Sequence, residues 1–101
     1  MVTRLWHGWT NPADADSYQA LLLTSILPEM GSIEGHRGGY VLRKDESDET
    51  EFVVLTFWES MDAVHKFAGP TATTPVITPA ASEFLVRYDR HATHYKSFRS
   101  E

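Results

Sequence analysis

The sequence contains no cysteine, no long hydrophobic run and no excess of positive charge. Without cysteine the chain can form no disulfide, no thiolate metal site and no cysteine nucleophile. An apolar run such as Ala20–Leu23, among the longest, is far shorter than the roughly 20 residues that cross a bilayer. A formal net charge of −5 disfavours a phosphate-binding surface, so nucleic acid is not an expected partner. No signal-peptide hydrophobic segment follows Met1, which predicts a cytoplasmic protein.

The composition is that of a folded protein. The 101 residues are 42% hydrophobic and 23% charged, which argues against disorder and predicts a single domain over residues 1–101. The content of aromatic residues is high, since 12% of the chain is aromatic and three of its residues are tryptophan.

Hydrophobic periodicity and cap residues predict four strands and three helical pieces. The first helix begins at Asn11-Pro12, with Asn11 as N-cap, and ends by Gly31, although Pro28 can kink or end it earlier. Gly69-Pro70 closes the second helix, and Thr78-Pro79 opens the third, which reaches about Arg87. The predicted strands are Val2–Thr10, His36–Arg43, Glu51–Trp58 and Arg90–Phe98, and the second helix runs from its cap Ser60 to Ala68.

The order of these elements is β-α-β-β-α-β, with an extra helical piece before the last strand. This order predicts an α+β ferredoxin-like fold, in which both helices cover one face of a four-stranded antiparallel sheet and strands one and three are central. Strand three is apolar on both sides, with Phe52 and Val54 on one face and Val53 and Leu55 on the other. We therefore expect a homodimer in which two sheets pack face to face, the alternative being an edge loop folded over the second face.

Three residues are candidates for catalysis: His7, Trp58 and His94. His7 lies in the middle of a central strand, where a histidine is either an acid, a base or a hydrogen-bonded core residue. Trp58 ends strand three and can either form the floor of a cavity, with its indole N–H as a donor, or pack in the core. On the last strand, His94 and Tyr95 point to opposite faces.

Other chemical motifs are absent. No two histidines share a helix face at i, i+4 spacing, and His91 and His94 lie on opposite faces of their strand, so the sequence predicts no metal site. Gly35–Gly39 is glycine-rich but lacks the pattern of a phosphate-binding loop and precedes a strand.

The chain resembles the antibiotic biosynthesis monooxygenase-like family of dimeric α+β barrels over nearly its whole length. The resemblance implies the same fold that the element order predicts. It rests on Trp6-His7-Gly8, the segment Gly38–Arg43, Phe57-Trp58-Glu59-Ser60, Asp62-Ala63-Val64, Phe67-Ala68-Gly69 and His94-Tyr95.

Members of that family oxidise polyphenolic polyketides with molecular oxygen and neither metal nor flavin, and one branch degrades heme. Trp58 matches the tryptophan that lines the cavity in both groups. The heme branch also has a strand-one asparagine and an axial histidine late in the chain, whereas Thr71–Arg87 contains no histidine. Some oxygenating members have a tyrosine just after the Phe-Ala-Gly helix, where this chain continues from Pro70 to Thr73. Because the axial histidine of the heme branch has no counterpart in Thr71–Arg87, and the oxygenating members use neither metal nor flavin, no cofactor is expected.

The functional hypothesis is a cofactor-independent monooxygenase acting on an aromatic or quinone-like small molecule. Its pocket would lie between the sheet and the helices, with His7 as base, Trp58 orienting the substrate and His94 as a further polar group. A non-catalytic small-molecule binder, a structural dimer without ligand and, less favoured, a heme-degrading enzyme are the alternatives.

Overall fold

The computed structural model describes residues 1–101 and contains five strands and four short α-helices. A 3-10 turn, Pro12–Asp14, leads into α1, and a π-helical turn, Leu22–Ile26, joins α1 to α2. No helix is both long and apolar enough to cross a membrane. The strands are β1 (Val2–Thr10), β2 (His36–Asp45), β3 (Thr50–Trp58), β4 (Leu85–Tyr88) and β5 (Thr93–Lys96), and the helices are α1 (Ala15–Leu21), α2 (Leu27–Met30), α3 (Met61–Ala68) and α4 (Pro79–Ser82).

The sheet has the order β2-β3-β1, with β4 and β5 both paired to the other edge of β1, and every pairing is antiparallel. The predicted α+β ferredoxin-like class and the central place of β1 and β3 are confirmed. The helices pack on one face, here called the helix face, which carries Phe52, Val54 and Trp58. The opposite face, here called the open face, carries Val53, Leu55 and Phe57, and these residues stay half-buried because no helix covers them.

The predicted last strand, Arg90–Phe98, contains β5 but is too long, and the predicted end of the third helix near Arg87 is wrong. Helix α4 ends at Ser82, and β4 lies where that helix was expected to continue. Between β4 and β5 the Asp89 amide still bonds to the His7 carbonyl of β1, whereas the Ala92 amide bonds to the Thr73 carbonyl outside the sheet.

The first helical segment continues through Pro28 and ends before Gly31, the last position that the sequence allows. Proline lacks the amide hydrogen that an α-helix needs, and the π turn just before it reorganises the bonding, with the Leu27 amide bonded to the Leu22 carbonyl. Asn11 occupies the N-cap position, but its side chain makes no capping bond. In contrast, Ser60 and Thr78 cap α3 and α4 as expected.

Close approach of two backbones fixes the start of β2. A register shift separates His36 from Gly39, and a Cβ placed on Gly39 would overlap the carbonyl oxygen of Leu55 on the central strand. Gly38 has a φ of +95° but open space around it. The two neighbouring glycines are therefore required for different reasons, Gly39 by packing and Gly38 by backbone conformation.

We predict that Gly39→Ala lowers the free energy of unfolding by about 3 kcal/mol or more, because Leu55 cannot move without breaking the sheet. In the matched variant Gly38→Ala the added Cβ meets no neighbouring atom, so the free energy of unfolding should fall only by the strain of a positive φ, about 1–2 kcal/mol. Urea unfolding followed by tryptophan fluorescence measures both. A Gly39→Ala protein as stable as wild type would mean that β2 and β3 pair in another register.

Candidate functional site

Three adjoining cavities beneath the helices share lining residues, and together they are called the chamber. Two of about 40 Å³ lie between the helix face and the helical layer, and one of about 250 Å³ lies among α2, α3 and the segment 71–78. Met30 and Val76 line all three cavities. Methionine is flexible and adapts to its neighbours, which allows the three cavities to accommodate one ligand.

Each wall of the chamber comes from a different element. Strand β1 contributes Arg4 and Trp6, which lie two residues apart and therefore on one face. Helix α3 contributes Phe67 from its inward side, which also carries the buried Ala63 and Val64. The segment 71–78 forms the outer wall through Val76, which is half-exposed.

Two charged residues line the chamber, Glu29 in its largest cavity and Arg4 at its buried end. Only 5% of Arg4 is exposed, and its guanidinium lies 5.5 Å from the centre of the Phe67 ring. The guanidinium donates to the carbonyls of Ala72 and Thr74, the second at 3.0 Å, and forms no ion pair with a carboxylate. Burial lowers the pKa of Arg4 to about 10, so it remains a cation at neutral pH.

His94 pairs directly with Arg4 across the sheet, with its Nε2 3.0 Å from Nη1 of Arg4. Because a guanidinium only donates, Nε2 must accept, so His94 is neutral and carries its proton on Nδ1. Burial, then the charge of Arg4 and then that of His65 lower the pKa of His94 below its ordinary value of 6.5. The chamber thus has a cation in its wall and a neutral base bonded behind that cation, since His94 itself lines none of the three cavities.

Trp58 is fully buried and does not line the chamber. Its indole N–H donates to Oγ1 of Thr56 at 2.9 Å, so the free donor expected from the sequence is not available. The indole stacks on Phe67 with ring centres 5.4 Å apart, and His36 meets it edge-on at 4.9 Å. Trp58 therefore supports two chamber residues, Thr56 and Phe67, from behind.

His7 lies on the open face, and the expectation that His7 and Trp58 share a pocket is wrong. Val2 pairs with Trp58, and His7 is an odd number of residues from Val2, so its side chain points to the opposite face. There, its Nδ1 lies 2.7 Å from Oδ2 of Asp89, and its Nε2 lies 3.7 Å from Oε2 of Glu51. The structure therefore brings Trp58 and His94 to the helix face without His7.

Arg4 is absent from the candidates predicted from the sequence, although a signal for it existed. Arg4 alternates with Trp6 in a strand whose helix-facing positions are otherwise uncharged. An arginine that faces the core of a central strand is unusual, because charged residues are almost never buried unless paired.

An antiparallel sheet with helices on one face and a chamber beneath them defines a ferredoxin-like α+β domain with space for a small molecule. The antibiotic biosynthesis monooxygenase family model matches residues 1–72, and the chain belongs to this family. No curated protein matches the chain.

Solved structures share this fold at low sequence identity. A Bacillus cereus protein, provisionally assigned as an antibiotic biosynthesis monooxygenase, has a TM-score of 0.69 at 17% identity and covers 99% of this chain and 97% of its own. The heme degrader MhuD of Mycobacterium tuberculosis, with two hemes bound in its active site, has a TM-score of 0.63 at 18% identity, covering 100% and 99%. Rv0793 of the same organism has a TM-score of 0.60 at 16% identity, covering 99% and 98%.

The residues of the chamber do not fit the axial ligation of heme. None of the side chains that line its three cavities is a histidine. In addition, no three His, Asp or Glu side chains come together in a group that could hold a metal ion.

Two partly buried imidazoles make the fold sensitive to acid. The pKa values of His36 and His94 are lowered, mainly by burial, whereas in the unfolded chain they stay near 6.5. Below pH 6.5 the unfolded chain therefore binds more protons than the folded chain does, and the free energy of unfolding falls with falling pH.

We accordingly predict that the melting temperature decreases between pH 7 and pH 5. Thermal unfolding by circular dichroism across this range measures the effect. The double variant His36→Phe, His94→Gln should show a flatter profile, and the exposed-site control His91→Gln should keep the wild-type profile. An unchanged profile in the double variant would contradict the assignment to these two residues.

Proposed function

We propose that the protein is a cofactor-independent monooxygenase that oxidises an aromatic or quinone-like small molecule inside the chamber. The observation that carries the proposal is the chamber itself, whose walls are mainly apolar and whose buried end holds the Arg4–His94 pair. Membership of the family indicates monooxygenase-like or heme-degrading activity, and the lack of a histidine in the chamber walls favours the first.

In such a reaction the substrate itself supplies the electrons. An anthrone-type methylene group and one oxygen molecule give a carbonyl group and one molecule of water, so that atoms and electrons balance. The protein has to remove a proton, stabilise the resulting anion and keep water away. Trp6, Met30 and Phe67 exclude water, and the polar pair provides the other two functions.

His94 is the proton acceptor in this proposal. It is neutral, and its lowered pKa keeps it neutral at pH 7, which is the form that a general base requires. Trp58 acts indirectly, because it holds Phe67 by stacking and Thr56 by its indole N–H. The base role that the sequence suggested for His7 passes to His94, which is on the chamber side of the sheet.

We predict that His94→Gln lowers turnover by roughly 10²–10⁴-fold, the usual contribution of a general base, because the amide oxygen can still accept from Arg4 but cannot take a proton. The measurement is oxygen uptake with a hydroxyanthrone, with melting temperatures recorded for each variant. The exposed-site variant His91→Gln is the control.

His7→Gln distinguishes the two histidines, since it should leave turnover nearly unchanged. Loss of turnover in His7→Gln but not in His94→Gln would place the base on the open face. Binding of the hydroxyanthrone without oxygen uptake would instead identify a non-catalytic small-molecule binder.

We also propose that the protein acts as a homodimer assembled through the open face. The half-buried centre of this face, Val53, Leu55 and Phe57, is flanked by Tyr40 and Tyr95, which are 65% and 54% exposed. No element of the chain covers this apolar surface, and such patches mark interaction sites. A second copy supplies a matching sheet, because a two-fold axis places the same face on both partners.

We predict that Leu55→Lys converts the dimer to monomer or aggregate, because it buries an unpaired charge in the interface. The matched control is Leu23→Lys, since Leu23 is 51% exposed on the helical layer. Sedimentation velocity at micromolar concentration gives the mass of each species. A monomeric wild-type protein would exclude this assembly.

A further inference from the structure

We infer that Arg4 is the binding residue for an aromatic acid, whose anionic oxygen pairs with the guanidinium while its ring fills the chamber. The inference deepens the proposed function, since it names the class of ligand that the site takes. It depends on the charge of Arg4, on its free hydrogen-bond donors and on the shape of the chamber.

The charge of Arg4 is buried without an opposite charge. Its partners are two backbone carbonyls and a neutral imidazole, none of which carries a negative charge. Four of the five other arginines are paired with carboxylates although they are far more exposed: Arg37 with Glu59, Arg43 with Asp16 and Asp45, Arg87 with Glu49 and Arg99 with Glu101. A buried ion is costly unless it is paired. The most buried arginine of the chain therefore lacks the counter-charge that a bound anion would supply.

The guanidinium of Arg4 also retains unused donors. Three of its five N–H groups bond to Ala72, Thr74 and His94. The Nε–H and one of the two Nη2–H groups have no partner in the chain. Free guanidinium donors form charge-assisted hydrogen bonds with the oxygen of a carboxylate or a phenolate.

The shape of the chamber selects an aromatic acid rather than a simple anion. The cavity at Arg4 has about 40 Å³, which is enough for an acidic group alone. It shares Met30, Phe67 and Val76 with the cavity of about 250 Å³, which has room for one or two aromatic rings. A ligand with its acidic group at Arg4 therefore places its ring against Phe67 and Met30.

For a phenol or enol, His94 completes the site. The substrate oxygen binds a free donor of Arg4, and its proton passes to Nε2 of His94, which releases its bond with Nη1 of Arg4, so that one O–H bond breaks and one N–H bond forms. A phenol has an ordinary pKa near 10, and the adjacent buried cation favours its anion. Arg4 thus stabilises the charge that the proposed oxidation creates.

The test compares 2-naphthoate with its neutral analogue 2-naphthamide by isothermal titration calorimetry at pH 7. We expect wild type to bind the acid about tenfold or more tightly than the amide, the effect of a charge-assisted bond. Arg4→Met should abolish this preference, and Arg4→Lys, which keeps the charge but not the guanidinium donors, should retain part of it. Arg90→Met removes an exposed arginine that has no carboxylate partner and should keep the full preference.

Equal affinity of wild type for the two probes, or binding of neither, would overturn the inference without any variant. A preference that survives Arg4→Met, or that Arg90→Met removes, would overturn it as well. The probes measure binding without turnover, so the result is separate from oxygen uptake. A preference for the acid without oxygen uptake from a hydroxyanthrone would refute the proposed monooxygenase but not the acid-binding site. Oxygen uptake without a preference for the acid would refute the acid-binding site alone.

Discussion

The antiparallel pairing of β1 with β3 is the constraint on which the site depends. With Val2 opposite Trp58, the alternation of strand side chains places Arg4 and Trp6 beneath the helices and His7 on the other side of the sheet. A slip of one residue would reverse these faces and bury His7 in place of Arg4. The overlap that a side chain at Gly39 would cause with Leu55 shows how closely β2 follows the same register.

Arg4 has a structural role besides lining the buried end of the chamber. Its bonds to Ala72 and Thr74 hold the segment 71–78 over the helix face, and this segment forms the outer wall through Val76. Ala72 adopts a φ of +65° in a buried position, a conformation that few residues other than glycine adopt. The group that would bind an acidic ligand therefore also shapes the enclosure, which couples ligand binding to the position of the wall.

Local patterns in the sequence were sufficient for the fold but not for the site. The caps Ser60 and Thr78 and the alternation in β3 depend on neighbouring residues, so the sequence predicted them. The last strand is shorter than predicted and β4 was missed, because both depend on distant partners: β4 pairs with β1, and the Ala92 amide bonds to the Thr73 carbonyl. The choice between His7 and His94 required the register between strands, which alternation within one strand does not define.

The division between the two faces explains how one strand can serve two purposes. Even-numbered residues of β1 face the helices, and two of them, Arg4 and Trp6, line the chamber, whereas its odd-numbered residues, including Leu5 and His7, share the open face with Leu55. The indole donor of Trp58 is used within the protein, so the polar groups available at this end of the chamber are those of Arg4 and of His94 beside it. Since solved relatives at 16–18% identity share the fold alone, the polar pair is the feature by which this chain would select its own substrate.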